Sequence, residues 1–421
     1  MVEDFVKSGI APGVDLYICP TQKFKTVLVQ VFMHQQLERD LATPTALFPM
    51  VLMRGAQNLP NKLEITRKLE GLYGAELDND ILKKGERQIV TFALEVADEK
   101  YTPGKEEVLR QGLEVLRDIL YNPLLEEGGF RKSYVAQEKE QLKKQIKGLI
   151  NDKMSLAVER CVQEMCREER YGTFKYGYLE QVDAAEPGEL LDYYRNFVSR
   201  APLDLFVVGD VEAAAVQGLV EEVFTFPPGD KFTLEPPHVF REPGDPRVVE
   251  EKMNIKQGKL TLGYRTNVPY GDDIFPLVFY NGILGGFSHS KLFQNVREKA
   301  SLAYYAFSRL EKTKGLMLIS SGIEVDDYQK ALDIIREQVA DMAAGKISDY
   351  EFENTRKGLL SQATLVEDNP YQLVSGILEG SMNQRPLSRR EVLKRLEGVT
   401  KDDVVRLAQG VHLDTIYFLR N

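Results

Sequence analysis

Four histidines, His34, His238, His289 and His412, are the imidazoles this chain has for chemistry, and none has another within four positions. A helix that holds zinc from one face presents imidazoles at i and i+4, and no such pair exists here. Residues 45–56, TALFPMVLMRGA, are apolar apart from Thr45 and Arg54. A buried helix beside a strand would carry side chains at i and i+4 into a site; these positions offer Ala46, Pro49 and Met50. None of the three binds a metal, accepts a proton or attacks a carbonyl. The stretch is also shorter than the roughly 20 residues needed to cross a bilayer, so it reads as soluble core, helical on both sides of Pro49.

The remaining candidates read blandly by themselves. His34, just past a strand, and His238, among prolines, read as surface residues. His289 falls in a loop ahead of the helix carrying Arg297 and reads as an ordinary loop residue, approach to a bound peptide being the minor alternative. Arg297, flanked by Glu298 and Lys299, is by default a solvated helix residue, and Tyr304 a core residue. The charged run 138–144 reads as a solvated helix face with i,i+4 pairs. Cys161 and Cys166, five apart and without a second Cys/His pair, read as reduced core thiols, and three cysteines suggest no disulfide framework.

The elements that must position these residues alternate strand and helix. Residues 25–33, KTVLVQVFM, form a buried strand, followed by the helix over 46–53. Asn61 caps a helix with Glu64 completing the capping pattern; Ile65, Leu69, Leu72 and Tyr73 share its face and Gly74 ends it. Residues 88–96 alternate as a half-buried strand. Two helices follow, over 105–121 and, highly charged, over 130–150 with Leu142, Ile146 and Leu149 as its seam. The strand 203–208, LDLFVV, closes the half.

Six of the nineteen prolines lie between Pro227 and Pro246, which makes this stretch an extended linker. Beyond it the pattern repeats. Strand 259–266 answers 25–33, Phe275-Pro276 answers Phe48-Pro49, and 315–325 answers 88–96. Helices 328–342 and 352–365 answer the two helices of the first half, and 413–419, LDTIYFL, answers 203–208. An ordered series of this length argues for duplication of one α/β unit of about 200 residues. The expected fold class is α+β, two homologous α/β-sandwich domains, each an antiparallel-rich sheet covered by helices. The expected spans are 1–226, a linker at 227–250, and 251–421.

Composition bounds the partners. With 43% hydrophobic and 28% charged residues the 421-residue chain is an ordinary globular protein, and its net charge of −10 argues against nucleic acid. The first twenty residues have neither a basic n-region nor an unbroken apolar h-region. A cytoplasmic location, away from membrane, is expected.

The duplicated unit, the VGDV turn at 208–211 and the run LGGFSHSKLFQNVREKASLAYY at 284–305 resemble the M16 metallopeptidases, the pitrilysin and processing-peptidase family of inverted zincins. The resemblance covers nearly the whole chain, and the run with Arg297 and, seven residues on, Tyr304 is its specific part. In the family the matching Arg and Tyr hydrogen-bond substrate backbone carbonyls near the zinc. The family's first domain carries H-x-x-E-H on a helix, whose histidines ligate zinc and whose glutamate is the general base, with a further glutamate ligand from an E-K-x5-E segment. By that resemblance Ala46 and Met50 stand at the histidine positions, Pro49 at the base, and Gln145, seven residues after Glu138, at the third ligand.

The resemblance therefore implies a catalytically empty member that has no zinc and no cofactor of its own, zinc being expected in a partner subunit. Such a chain would pair with a zinc-bearing M16 homologue and hold an extended peptide through Arg297 and Tyr304. Two alternatives stay open: a structural or peptide-binding homodimer, and an active peptidase with an unusual ligand set.

Overall fold

The computed structural model describes residues 5–104 and 107–421. It contains two compact units. Unit 1 comprises Met1–Lys147, Thr173–Glu235 and Pro370–Val374; unit 2 comprises Gly148–Gly172, Pro236–Asn369 and Ser375–Asn421.

In unit 1 a six-stranded sheet forms from β1 (Val6–Ala11), β2 (Val14–Pro20), β3 (Thr26–Gln36), β4 (Glu76–Lys84), β5 (Arg87–Ala97) and β6 (Leu203–Gly209). Its order is β1-β2-β6-β3-β5-β4, with β2 and β6 parallel and the other neighbours antiparallel. One face packs on α1 (Arg39–Leu52), α2 (Lys62–Gly71), α3 (Val108–Tyr121) and α4 (Lys132–Gly148). Val27, Val29, Val31 and Met33 point into that layer, as period-two alternation requires, and meet Phe48, Leu116 and Leu142. Phe48 lies 5.0 Å from Phe197 and 5.7 Å from Tyr194, ring centre to ring centre, so α1 is wedged against the helix Pro187–Arg200.

Several local expectations hold and others change. Asn61 caps α2 by accepting from the Glu64 N–H at 3.1 Å. Tyr73, expected on the apolar face, has φ +58° and is exposed: α2 stops at Gly71 and the chain reverses through Tyr73-Gly74 into β4. Strand β5 is more than half-buried, because Gln88, Ile89 and Thr91 are buried along with Val90, Phe92, Leu94 and Val96. Of the helix expected over 105–121, Lys105 and Glu106 lie outside the described residues, and α3 runs from Val108. His34, expected at the surface, is 2% exposed. The ladder with β5 continues past Met33 to Gln36↔Arg87, which keeps His34 inside β3, with Nε2 3.1 Å from Asp204 Oδ2 on β6.

In unit 2 the strands are β7 (Arg247–Lys252), β8 (Gly258–Arg265), β9 (Ala303–Glu311), β10 (Leu316–Ile323) and β11 (His412–Arg420). The order β9-β10-β8-β11-β7 repeats β4-β5-β3-β6-β2, down to the parallel β7/β11 pair. This shared topology is what duplication of one unit produces. Ile416 and Phe418 of β11 point toward the layer of α6 (Ile274–Asn281), α7 (Tyr328–Ala343) and α8 (Asp349–Leu365). Tyr417 and Leu419 point the other way, onto α5 (Lys153–Met165). Gly263 in β8 makes room for α5, since a Cβ there would sit 2.7 Å from Met165 Sδ. The segment carrying α5 precedes the proline-rich stretch and lies inside the expected span 1–226, yet it packs in unit 2 because its apolar face covers that sheet.

The prolines of 227–246 sit in a stretch without helix or strand. All three cysteines are buried and none is in a disulfide. Among the described residues no helix is long and apolar enough to cross a membrane.

Candidate functional site

A cleft of about 490 Å³ opens in unit 1 between the end of α1, the face of α4 and the outer strand β4. Ala46, Met50 and Met53 line it from α1 and its C-cap, Gln141 and Gln145 from α4, and Asn79 from β4. Three of the four positions singled out in the sequence, Ala46, Met50 and Gln145, thus meet around one space. Pro49 is buried in α1 and is not among the lining residues. Helix α1 runs unbroken through Pro44 and Pro49. Its first half is tied down by Thr45, whose hydroxyl donates to Leu41 O at 2.7 Å and lies 2.5 Å from Tyr193 OH. Tyr193 donates in turn to Gln35 Oε1, and burial pushes its phenol up to about 12.

The floor of the cleft holds an ion pair that the sequence reading did not assign. Glu138 is 4% exposed and accepts from Arg54 Nε. This corrects the expectation of a wholly solvated face over 138–144. Val135, Glu138 and Leu142 fall on one stripe of α4 and all three are buried, whereas Glu140 and Lys143 pair on the outer side at 2.8 Å. The i+3 and i+7 spacing from Val135 was a readable signal for Glu138; the identity of its partner, 84 residues away, was not.

These side chains do not fit a zinc ion. Ala46, Met50 and Gln145 bring a methyl, a thioether and a carboxamide, none of them a usual zinc ligand, and the buried carboxylate of Glu138 is already engaged by a guanidinium. Among the described residues no group of three or more His, Cys, Asp or Glu is arranged to hold a metal. What the cleft can do is bind. Asn79, Gln141 and Gln145 both donate and accept, and Arg54 donates.

The ion pair is unequal, and that sets a prediction. Arg54 is 31% exposed in its side chain and Glu138 5%. Arg54→Ala strands a buried carboxylate and is expected to cost about 3 kcal/mol of stability, whereas Glu138→Ala frees a guanidinium that can hydrate and is expected to cost about 1 kcal/mol. Denaturant midpoints of the two variants check this, and equal losses would count against it.

In unit 2, Arg297 lies in a π-helical turn, Phe293–Lys299, with its guanidinium 4.5 Å from the Phe293 ring centre and 3.6 Å from Glu298 Oε1. Its side chain is 43% exposed. Tyr304, read by default as core, is 71% exposed near the start of the edge strand β9, at a register break between Ala303 and Tyr305 that leaves it outside the ladder pairing with β10. Both polar groups are open to solvent. His289 is half-buried, donates or accepts with Thr355 Oγ1 at 2.9 Å and stacks on Phe287; burial lowers its pKa. His238 is exposed.

Residues 185–359, a span that includes Arg297 and Tyr304, match the family described as Peptidase M16 inactive domain. Over 409 residues the chain is 38% identical to a Bacillus subtilis (strain 168) protein named probable inactive metalloprotease YmfF, covering 97% of this chain and 96% of the relative. The chain belongs to the M16 peptidase family. The solved structure of a conserved protein from Enterococcus faecalis V583 superimposes with TM-score 0.92 at 27% identity over 99% of each chain. A protease from Helicobacter pylori superimposes with TM-score 0.83 over the full length of both chains; at 16% identity it shows the fold alone. The M16 resemblance read from the run at 284–305 and from the duplication is thereby borne out. It also accounts for the two-unit α/β architecture.

Proposed function

We propose that this chain is an M16 homologue without peptidase activity of its own, which positions an extended peptide for a zinc-bearing M16 homologue in a mixed complex. One observation carries the reading. The groups expected to grip a peptide backbone, Arg297 and Tyr304, are solvent-exposed, while the positions expected to hold zinc are Ala46, Met50 and Gln145 around a metal-unfit cleft. A guanidinium and a phenol are donors to main-chain carbonyls, so they select for peptide rather than for one side chain. Holding the scissile bond in register with a partner's site lowers the entropic part of its barrier. The cytoplasm is the compartment this reading assumes. The name of the Bacillus subtilis relative, which describes it as inactive, is consistent with loss of catalysis here.

The test is co-expression with a zinc-bearing M16 homologue, followed by mass measurement of the complex and a peptidase assay. A mixed complex that cleaves peptide, with kcat/KM falling at least about tenfold for Arg297→Ala, is expected, which corresponds to about 1.4 kcal/mol of transition-state stabilisation. Unchanged turnover in that variant would leave the chain as a scaffold. Stoichiometric zinc in the chain by itself would remove the proposal.

A further inference from the structure

We propose that the metal-unfit cleft of unit 1 is a binding site in its own right, and that Arg54 there receives the free α-carboxylate of an extended peptide. The inference rests on the reading that this chain binds peptide, and it names which end of the peptide the first unit takes.

The geometry of Arg54 carries it. Its Nε is committed to the buried carboxylate of Glu138, which fixes the plane of the guanidinium. The two terminal nitrogens make no other hydrogen bond among the described residues, and the side chain is partly exposed where it lines the cleft. A planar pair of terminal nitrogens matches a carboxylate oxygen for oxygen, and the charge-assisted, two-point contact is stronger than a contact to a neutral amide. A guanidinium held by a buried acid is also pre-organised, so little rotamer freedom is lost when a ligand arrives.

The surroundings suit a peptide end and disfavour other anions. Gln141 and Gln145 on α4 and Asn79 on β4 bring carboxamides to the same space, and carboxamides satisfy both the N–H and the C=O of a peptide group. Charge limits the ligand to a single negative group. The lining has two cations, Arg54 and Lys62, against three carboxylates, Asp78, Asp80 and Glu138, a formal balance of −1. Asp80 is partly compensated by the Ile81 N–H at 2.7 Å and Lys175 Nζ at 3.9 Å. This net negative field repels a phosphate dianion more strongly than a singly charged carboxylate, which the Arg54 fork holds against it. The volume, about 490 Å³, lies within the roughly 300–1,000 Å³ typical of ligand sites. Capture of a terminal carboxylate is a recurring mode of peptide recognition.

The experiment is fluorescence anisotropy on the chain alone, with one labelled, unstructured peptide made twice, as the free acid and as the C-terminal amide. The free acid is expected to bind about tenfold more tightly, the advantage shrinking as salt rises. In the double variant Arg54→Met with Glu138→Gln, which leaves no buried charge unpaired, both peptides are expected to bind with the affinity of the amide. Equal affinities for acid and amide on the unmodified chain would overturn the proposal, and so would a preference that survives in the double variant or an absence of binding by either peptide. The acid-to-amide comparison needs no variant, so misfolding of a mutant cannot obscure it. Arg297→Ala, by contrast, weakens both peptides alike and leaves their ratio unchanged, which separates this site from the peptide-positioning role of the second unit.

Discussion

Replacing Glu169 with glutamine is expected to destabilise unit 2 by about 3–5 kcal/mol, a drop in melting temperature on the order of 10 °C for a unit of this size. Glu169 closes the segment that carries α5. Its carboxylate accepts from Arg265 Nη2 at 2.7 Å and Lys314 Nζ at 2.6 Å, with Arg241 Nη2 at 3.4 Å. Arg265 and Lys314 are 2% and 0% exposed in their side chains, so neither can recover its charge compensation from water. Arg265 also donates to Asp414 Oδ2 and to the Met165 carbonyl, which locks α5 to β8 and β11. Glutamine keeps the shape and one acceptor but removes the charge that two buried cations face.

The same cluster sets a pH dependence. Burial by itself would raise the Glu169 pKa, but the hydrogen bonds from Arg265 and Lys314 outweigh it and hold the group below the usual carboxylate range. A carboxylate depressed on folding stabilises the protein above its unfolded value, about 4.3, and that contribution is lost as the pH falls through the folded value. Calorimetry at neutral pH and below about pH 4 should therefore show a wide gap between the parent and Glu169→Gln closing in acid. A gap of the same width at both would rule the ion cluster out as its cause.

The second large effect is expected at Gly177, next to Tyr176 on the wall of the unit 1 cleft. Its φ is +74°, and an alanine Cβ would lie 1.9 Å from Thr43 Oγ1 and 2.6 Å from the Thr43 backbone. Thr43 Oγ1 accepts from the Tyr178 N–H at 3.0 Å and donates to Gln181 Oε1 at 2.6 Å, which is how the chain after Gly172 is pinned to α1. Gly177→Ala must break that junction or shift α1, at an expected cost above about 3 kcal/mol, with loss of peptide binding in the cleft. Gly74→Ala is the control. Its φ is +76° and a Cβ there meets nothing within 4 Å, so it carries the backbone strain alone, about 1 kcal/mol. Denaturant unfolding of the two variants separates strain from collision, and similar losses would show that Thr43 has room to move.

Much of the fold was legible because it rests on local periodicity. The β-branched apolar run of β3, the alternation of β5, the Asn61 cap of α2, the apolar stripes of α3 and α7, and the ordered recurrence of these elements after the prolines are all properties of short windows. His34 was misread because the strand was ended at Met33, three residues too early; a ladder ends where its partner ends, and β5 begins at Arg87. Glu138 was misread because a charge within a charged run looks solvated unless the seam of its helix is followed through Val135 and Leu142.

What the sequence determined by itself is the kind of protein this is: a duplicated α/β chain of the M16 type in which no two histidines stand within four residues of each other, since residue identity and spacing need no partner to be read. Tertiary structure alone decided which charges are buried and against what. Arg54 meets Glu138 across 84 residues and Arg265 meets Glu169 across 96, and the cost of burying an ion depends on the neighbour that distant chain delivers, not on the window in which the ion is written.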